Sequence, residues 1–169
     1  LRVKDAVCDR FQFARGKRPT ADTHAPDILI AVYLDASTCT FYVDTSGEPL
    51  FKRGWRRSAG EAPIRENLAA GILRLSKWTA DTVLYDPMCG SGTFVIEAAL
   101  MARRVAPGIG RHFAFEKLLS FDAQRLNDLR TDLKAMEIPI KPGLIHAADD
   151  NAHAMTSIKA NLTIAGSGD

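Results

Sequence analysis

The chain has 169 residues, 46% of them apolar, and a formal net charge of +2. That length supports one core with a small appended module, and the charge is too small to argue for a nucleic-acid partner by itself. No stretch approaches the ~20 apolar residues of a membrane span, and Cys8, Cys39 and Cys89 are an odd number without metal-like spacing, which points to reduced thiols in a cytoplasm.

Val3, Ala6, Val7, Arg10 and Phe11 follow a helical period that Gly16 and Pro19 close. Lys4, Arg10, Arg15, Lys17 and Arg18 gather on or just after that helix, as a wet face or a basic patch. After a loop to Pro26, the runs Ile28 to Leu34 and Thr40 to Asp44 are β-rich and joined by Asp35-Ala36-Ser37-Thr38, a hairpin signal. Ser46-Gly47-Glu48-Pro49 turns the chain again before Leu50 to Arg53. One helix and two or three strands over about fifty-five residues make a poor independent core, so residues 1–57 read as the carboxyl-terminal portion of a larger domain. Within it, Lys52-Arg53-Gly54-Trp55-Arg56-Arg57 concentrates positive charge around an aromatic ring. Lys52, Arg53 and Arg56 could contact phosphates while Trp55 stacks a base. Equally, the run could be a solvated strand end with Trp55 turned into a core.

The pattern changes for residues 58–169. Ala62-Pro63 opens a helix with Pro in its first turn, and Ile64, Leu68, Gly71, Ile72 and Leu75 recur at helical spacing until Trp78. Thr82 to Tyr85 is a short β-favouring run, and Phe94 to Ala102 has helix-forming composition. Between them lies Asp86-Pro87-Met88-Cys89-Gly90-Ser91-Gly92-Thr93. Gly90 and Gly92 permit a tight turn and leave no Cβ to block a ligand from the main chain. Ser91 and Thr93 are suited to cap the helix, whose first N–H groups and dipole favour a carboxylate. Asp86, at the strand end, is placed to accept from an ammonium group, so the turn suits an amino-acid head group. A phosphate loop would need a Lys after the second Gly, and a dinucleotide fingerprint a third Gly; neither is present. Cys89, with no second Cys or His nearby, reads as a small loop residue rather than a nucleophile.

Val105 to Gly110 is a loop, Phe113 to Phe121 mixes aromatics and charges without an assignable role, and Gln124 to Met136 is a helix. Gly143 to Ala148 is a candidate second parallel strand, followed by Asp149-Asp150-Asn151 and a helix with Ala154, Ile158, Asn161 and Leu162 on one face. Strand, helix, strand, helix with a Gly turn after the first strand begins a doubly wound sheet, in which ligands bind at the carboxyl ends of strands. Asp149 or Asp150 stands where an acid accepts from both ribose hydroxyls; the other reading is that these acids cap the next helix. His146 and His153 lack convergent partners for a metal.

The strings DPMCGSGTFVIEAALMA, EAPIRENLAAGILRLSKW and YVDTSGEPLFKRGWR together resemble the bacterial THUMP-domain RNA methyltransferases, and within them the 23S rRNA guanine-N2 methyltransferases. The resemblance runs from about Arg2 to Gly166 and is most specific over Asp86 to Ala102. It implies an α/β fold, a partial Rossmann-like class I methyltransferase sheet preceded by the carboxyl-terminal part of an α+β THUMP domain. It further implies S-adenosyl-L-methionine as cofactor and RNA, specifically 23S rRNA, as partner. The cofactor residues it implies are Asp86, Pro87, Cys89, Gly90, Ser91, Gly92 and Thr93 with Asp149 and Asp150, and Asn67 reaching the methionine end. Asn151 and Ala152 stand where the family usually has an acid and a Pro, which leaves the acid's register open by one, between Asp149 and Asp150. The turn also occurs in adenine-N6 DNA methyltransferase relatives, so tRNA guanine-N2 and DNA adenine-N6 methylation stay open, as does a noncatalytic RNA-binding module with a vestigial loop. Amine methylators carry an (Asn/Asp)-Pro-Pro-aromatic motif that holds the flipped base; no such string occurs here, so no residue is named as catalytic. Beginning at Leu1-Arg2-Val3 within a helical pattern and stopping at Asp169, the chain reads as a fragment cut at both ends and inactive alone.

Overall fold

The computed structural model describes residues 2–57 and 62–166. The boundary read at residue 58 and the change of pattern at Glu61 lie outside the described residues, as do Leu1 and residues 167–169.

The amino-terminal part is a helix and a hairpin. Helix α1 spans Arg2–Arg15 and ends where Gly16 takes φ +71° and donates to Gln12 O. Two cations of the amino-terminal basic group pair with acids of the helix: Lys4 with Asp5, and Arg18, beyond the helix end, with Asp5 and Asp9. Strands β1 (Leu29–Leu34) and β2 (Cys39–Asp44) pair antiparallel, Leu29 opposite Asp44 and Leu34 opposite Cys39. Asp35 organises the turn, accepting from the Ser37 and Thr38 backbone N–H groups at 2.8 Å and from the Thr38 hydroxyl. Those bonds, led by the hydroxyl, lower its carboxyl to about 2.

The second part carries helix α2 (Glu66–Leu75), strand β3 (Leu84–Asp86), helix α3 (Thr93–Ala102), a 3-10 turn at Ala114–Lys117, helix α4 (Ala123–Ala135), strand β4 (Ile145–Ala147) and helix α5 (Ala152–Ile164). Pro63 does not open α2 as its sequence suggests. The helix begins three residues later, behind an extended Arg65, and it buries Glu66, Ala69 and Leu73. Leu68, Ile72 and Leu75, the periodic apolar positions, are exposed, because the residues that meet α3 lie on the other face.

β3 and β4 run parallel, Leu84 opposite Ile145 and Asp86 opposite Ala147. The ladder continues past the strands, with Leu84 N donating to Leu144 O, Ala148 N to Asp86 O and Cys89 N to Ala148 O. Trp55, Cys89, Val95, Ile96 and Ile158 form the buried core, with Leu100, Ile145, Met155 and Leu162 against it. α3 is apolar nearly all round and buries Val95, Ile96, Ala98, Ala99 and Ala102, as a helix covered on several sides must.

The segment without a sequence role joins the two parts. Arg111 donates to the carbonyls of Ser46, Glu48 and Pro49, Phe115 N donates to Thr45 O at 3.0 Å, and Lys117 pairs with Asp27. Within the segment Phe113 stacks on Phe115, and Phe121 packs tilted against Phe115.

Candidate cofactor-binding site

The turn after β3 is built by backbone bonds and two left-handed glycines. Asp86 Oδ1 accepts from Met88 N at 3.2 Å, and Pro87 and Met88 carry the chain outward, both exposed. Gly90 has φ +53° and donates to Asp149 Oδ2 at 2.8 Å; Gly92 has φ +88° and donates to Cys89 O at 2.8 Å. A Cβ on Gly92 would lie 2.4 Å from Ile158 Cγ1, so this residue must be Gly both for its backbone angle and for the packing of the turn on α5. A Cβ on Gly90 would meet nothing within 4 Å: its side of the turn is open.

Gly92 is also the N-cap of α3, and no side chain caps the helix. Ser91 and Thr93 therefore do not cap, as their types suggested. Their hydroxyls instead accept from Arg56 Nη1 at 3.3 Å and Nη2 at 2.9 Å. The first turn of an α-helix has N–H groups with no intrahelical partner, and α3 carries no acidic residue there to offset the dipole. An open, positively polarised turn beside the Asp86 carboxylate fits the two charges of an amino-acid head group.

Asp149 follows β4 and faces the same turn. Its carboxylate accepts from Gly90 N, and from Asn151 N at 3.0 Å; these two N–H groups, Gly90 first, hold its carboxyl below the usual range. Asp149 therefore stays ionised and accepting near neutrality, as ribose hydroxyls require. Asp150 is exposed next to it. Neither acid is the N-cap of α5; Asn151 is, accepting from His153 N at 2.9 Å. Cys89 is buried, and burial, with Asp86 and Asp149 nearby, pushes its thiol up, which opposes the thiolate a nucleophile needs. His146 bonds the Gly143 carbonyl, and among the described residues no His, Cys, Asp and Glu group could hold a metal ion.

The basic run lies largely inside. Trp55 is 3% exposed and belongs to the core, so it is not presented for base stacking. Arg53 meets Glu97 through Nε and Nη2, both at 3.4 Å, and Arg56 Nε meets Glu66 at 2.9 Å. The cause is two acids on buried helix faces, which need cationic partners to stay charged. Burial still raises the Glu97 carboxyl, while Arg53 draws it back down. Lys52, bonded to Glu48, and Arg57 remain outward. A Glu inside the apolar string Phe94 to Ala102 was the available signal for this arrangement.

Asn67 is exposed and lines a groove of about 280 Å³ with Glu97, Leu100 and Met101, farther along α3 than the turn. Asn161 is a structural anchor that its place on the apolar face of α5 concealed: it is fully buried, Nδ2 donates to Ser91 O at 3.0 Å, and Oδ1 accepts from Arg57 N at 3.1 Å.

Residues 53–169 match the family model for the RMKL-like methyltransferase domain, and residues 1–44 match the THUMP domain. The chain belongs to the RMKL-like methyltransferase family. Within that family it is 48% identical over 132 residues to the ribosomal RNA large subunit methyltransferase K/L of Psychromonas ingrahamii, a match that covers 78% of this chain and 18% of the relative. It is 39% identical over 173 residues to the K/L protein of Acinetobacter baumannii strain AYE, covering 98% of this chain and 23% of that one. Two solved structures superpose with a TM-score of 0.84. One is a predicted N6-adenine-specific DNA methylase from Listeria monocytogenes, 34% identical, with 99% of this chain on 44% of that one. The other, SMU.472, is a methyltransferase complexed with S-adenosylhomocysteine (SAH), 33% identical, with 98% of this chain on 44% of that one. The family member described here thus has the α/β methyltransferase fold behind a THUMP segment, and it spans about a fifth of the curated relatives it matches.

Proposed function

We infer that this chain is the cofactor-seating part of an S-adenosyl-L-methionine-dependent methyltransferase that modifies the exocyclic N2 of a guanine in 23S rRNA, in the cytoplasm. The observation that carries the reading is the single rim formed by Asp86, the open turn at Gly90 and Asp149, at the carboxyl ends of two parallel strands. Asp86 receives the methionine ammonium, the first turn of α3 from Gly92 and Thr93 receives the carboxylate, and Asp149 with Asp150 receives the ribose. Pro87, Cys89 and Ser91 shape the turn, and Asn67 contributes from α2 only if the groove it lines extends toward the methionine end. The cofactor supplies a methyl group on an already electrophilic sulfonium. The chain's own task is to hold that group in one place and orientation, which is where such catalysis gains most.

Residues 1–57 are the RNA-binding part and residues 58–169 the cofactor part, with the Arg53 to Arg57 strap packed on the latter. Lys52 and Arg57 are the exposed cations of the basic run and the ones left to meet a phosphate. The relatives' names support rRNA, and the Listeria structure's description favours DNA adenine as the second reading. Tritiated methyl transfer to unmodified 23S rRNA and to DNA, with nucleoside analysis of the product, separates the two. The rRNA reading requires N2-methylguanosine from a full-length protein of this family that includes this chain, and none from the chain alone; N6-methyladenine in DNA replaces it with the second reading.

A further inference from the structure

Arg56 does more than neutralise a buried acid. Its guanidinium joins three segments, donating to Glu66 Oε1 at 2.9 Å, to the Ile64 carbonyl at 3.0 Å, and to the Ser91 and Thr93 hydroxyls in the turn. The Trp55 ring lies 5.0 Å from it, and the side chain is 16% exposed. The next residue continues the same strap. Arg57 N donates to Asn161 Oδ1, and Asn161 Nδ2 donates to the Ser91 carbonyl. Ser91 is therefore gripped at its hydroxyl by Arg56 and at its carbonyl by Asn161. It sits between Gly90 and Gly92, whose backbone freedom would otherwise let the turn relax.

Only a planar fork with several donors reaches four acceptors at once; a lysine would carry the charge without the geometry. Glu66 offsets the charge, so the effect of Arg56 on the turn lies in placement. Ser91 and Thr93 flank the N-cap of α3, where a carboxylate is drawn, whereas Asp149 holds Gly90 and faces the other half of the site.

We propose that Arg56 is a positioning residue for the amino-acid half of the cofactor: through Ser91 and Thr93 it presents the first turn of α3 in one arrangement, and it leaves the adenosine half untouched. The inference rests on the turn being an S-adenosylmethionine site.

The test is isothermal titration of the 169-residue chain and its Arg56→Lys variant with two ligands, SAH and 5′-methylthioadenosine, which lacks the amino-acid group. Arg56→Lys weakens SAH about tenfold and leaves 5′-methylthioadenosine within about twofold. In a Ser91→Ala/Thr93→Val background the same substitution changes SAH affinity by less than about twofold, because the groups it acts through are gone. A purely structural role would weaken both ligands alike. Equal weakening, no weakening, or a tenfold loss that persists in the double-variant background overturns the proposal. Should Arg56→Lys fail to fold by circular dichroism, Ser91→Ala/Thr93→Val alone must weaken SAH and spare 5′-methylthioadenosine, and equal loss again overturns it. If the unaltered chain binds neither ligand, the reading of the cofactor site has failed, and this proposal falls with it.

Discussion

Gly90 and Gly92 both hold positive φ, yet a methyl group added to each would meet different surroundings. Gly92→Ala adds a clash with Ile158 to the left-handed strain and should cost about 3 kcal/mol in urea unfolding. Gly90→Ala meets open space and should cost only about 1 kcal/mol, while weakening SAH by narrowing the open side of the turn. Similar stability losses for the two would show that the turn does not pack on α5 as described. Asp149 gives a pH signature of known sign. Its carboxyl is lower in the folded chain than in the unfolded one, so it contributes stability above the ordinary carboxylate range that is lost as pH falls through the folded value. The melting-temperature gap between the chain and Asp149→Asn should be widest near neutrality and close below about pH 4. A gap independent of pH would mean that the ionised carboxylate does not hold Gly90.

Among the elements, periodicity identified α2 and α5 and the packed face of α5, but not the packed face of α2. Along α2, Leu68, Ile72 and Leu75 keep helical spacing and are exposed, while the face that packs holds Ala69, Leu73 and an acid. The sequence pattern counts apolar residues, and it cannot see that Glu66 is drawn inward by Arg56, ten positions earlier. The same blindness hid Arg53, whose partner Glu97 lies 44 positions on. The strand, turn and helix around Gly90 were legible because each step there has a local cause: a β-favouring run, glycines, then helix formers. The clamp formed by Arg111 was not, since its acceptors are backbone carbonyls of residues 46, 48 and 49, which carry no sequence signal. Arg111→Ala should speed amide exchange over residues 45–49 and 113–117 about tenfold or more, with SAH affinity unchanged. Unchanged exchange would show that the Phe115 N to Thr45 O bond and the Lys117–Asp27 pair join the two parts without Arg111.

Across the whole molecule the core gathers behind the turn, while the hairpin leaves Tyr33, Leu34, Phe41 and Tyr42 exposed. Everything that shapes the site comes from residue 53 onward: the Arg53 to Arg57 strap below, α5 behind, and β3 and β4 presenting two acids at one rim. That rim was readable from the sequence as chemistry, because an acid, two glycines and a second acid have few other uses at those strand ends; its supports were not. The central claim is that Asp86 and Asp149 read the two ends of one ligand. Titrating the chain with SAH beside Asp86→Ala and Asp149→Ala, each confirmed folded by circular dichroism, tests it most directly. The account predicts one SAH per chain, with affinity reduced about tenfold or more by either substitution. Binding that survives both substitutions, or no binding by the unaltered chain, would contradict it.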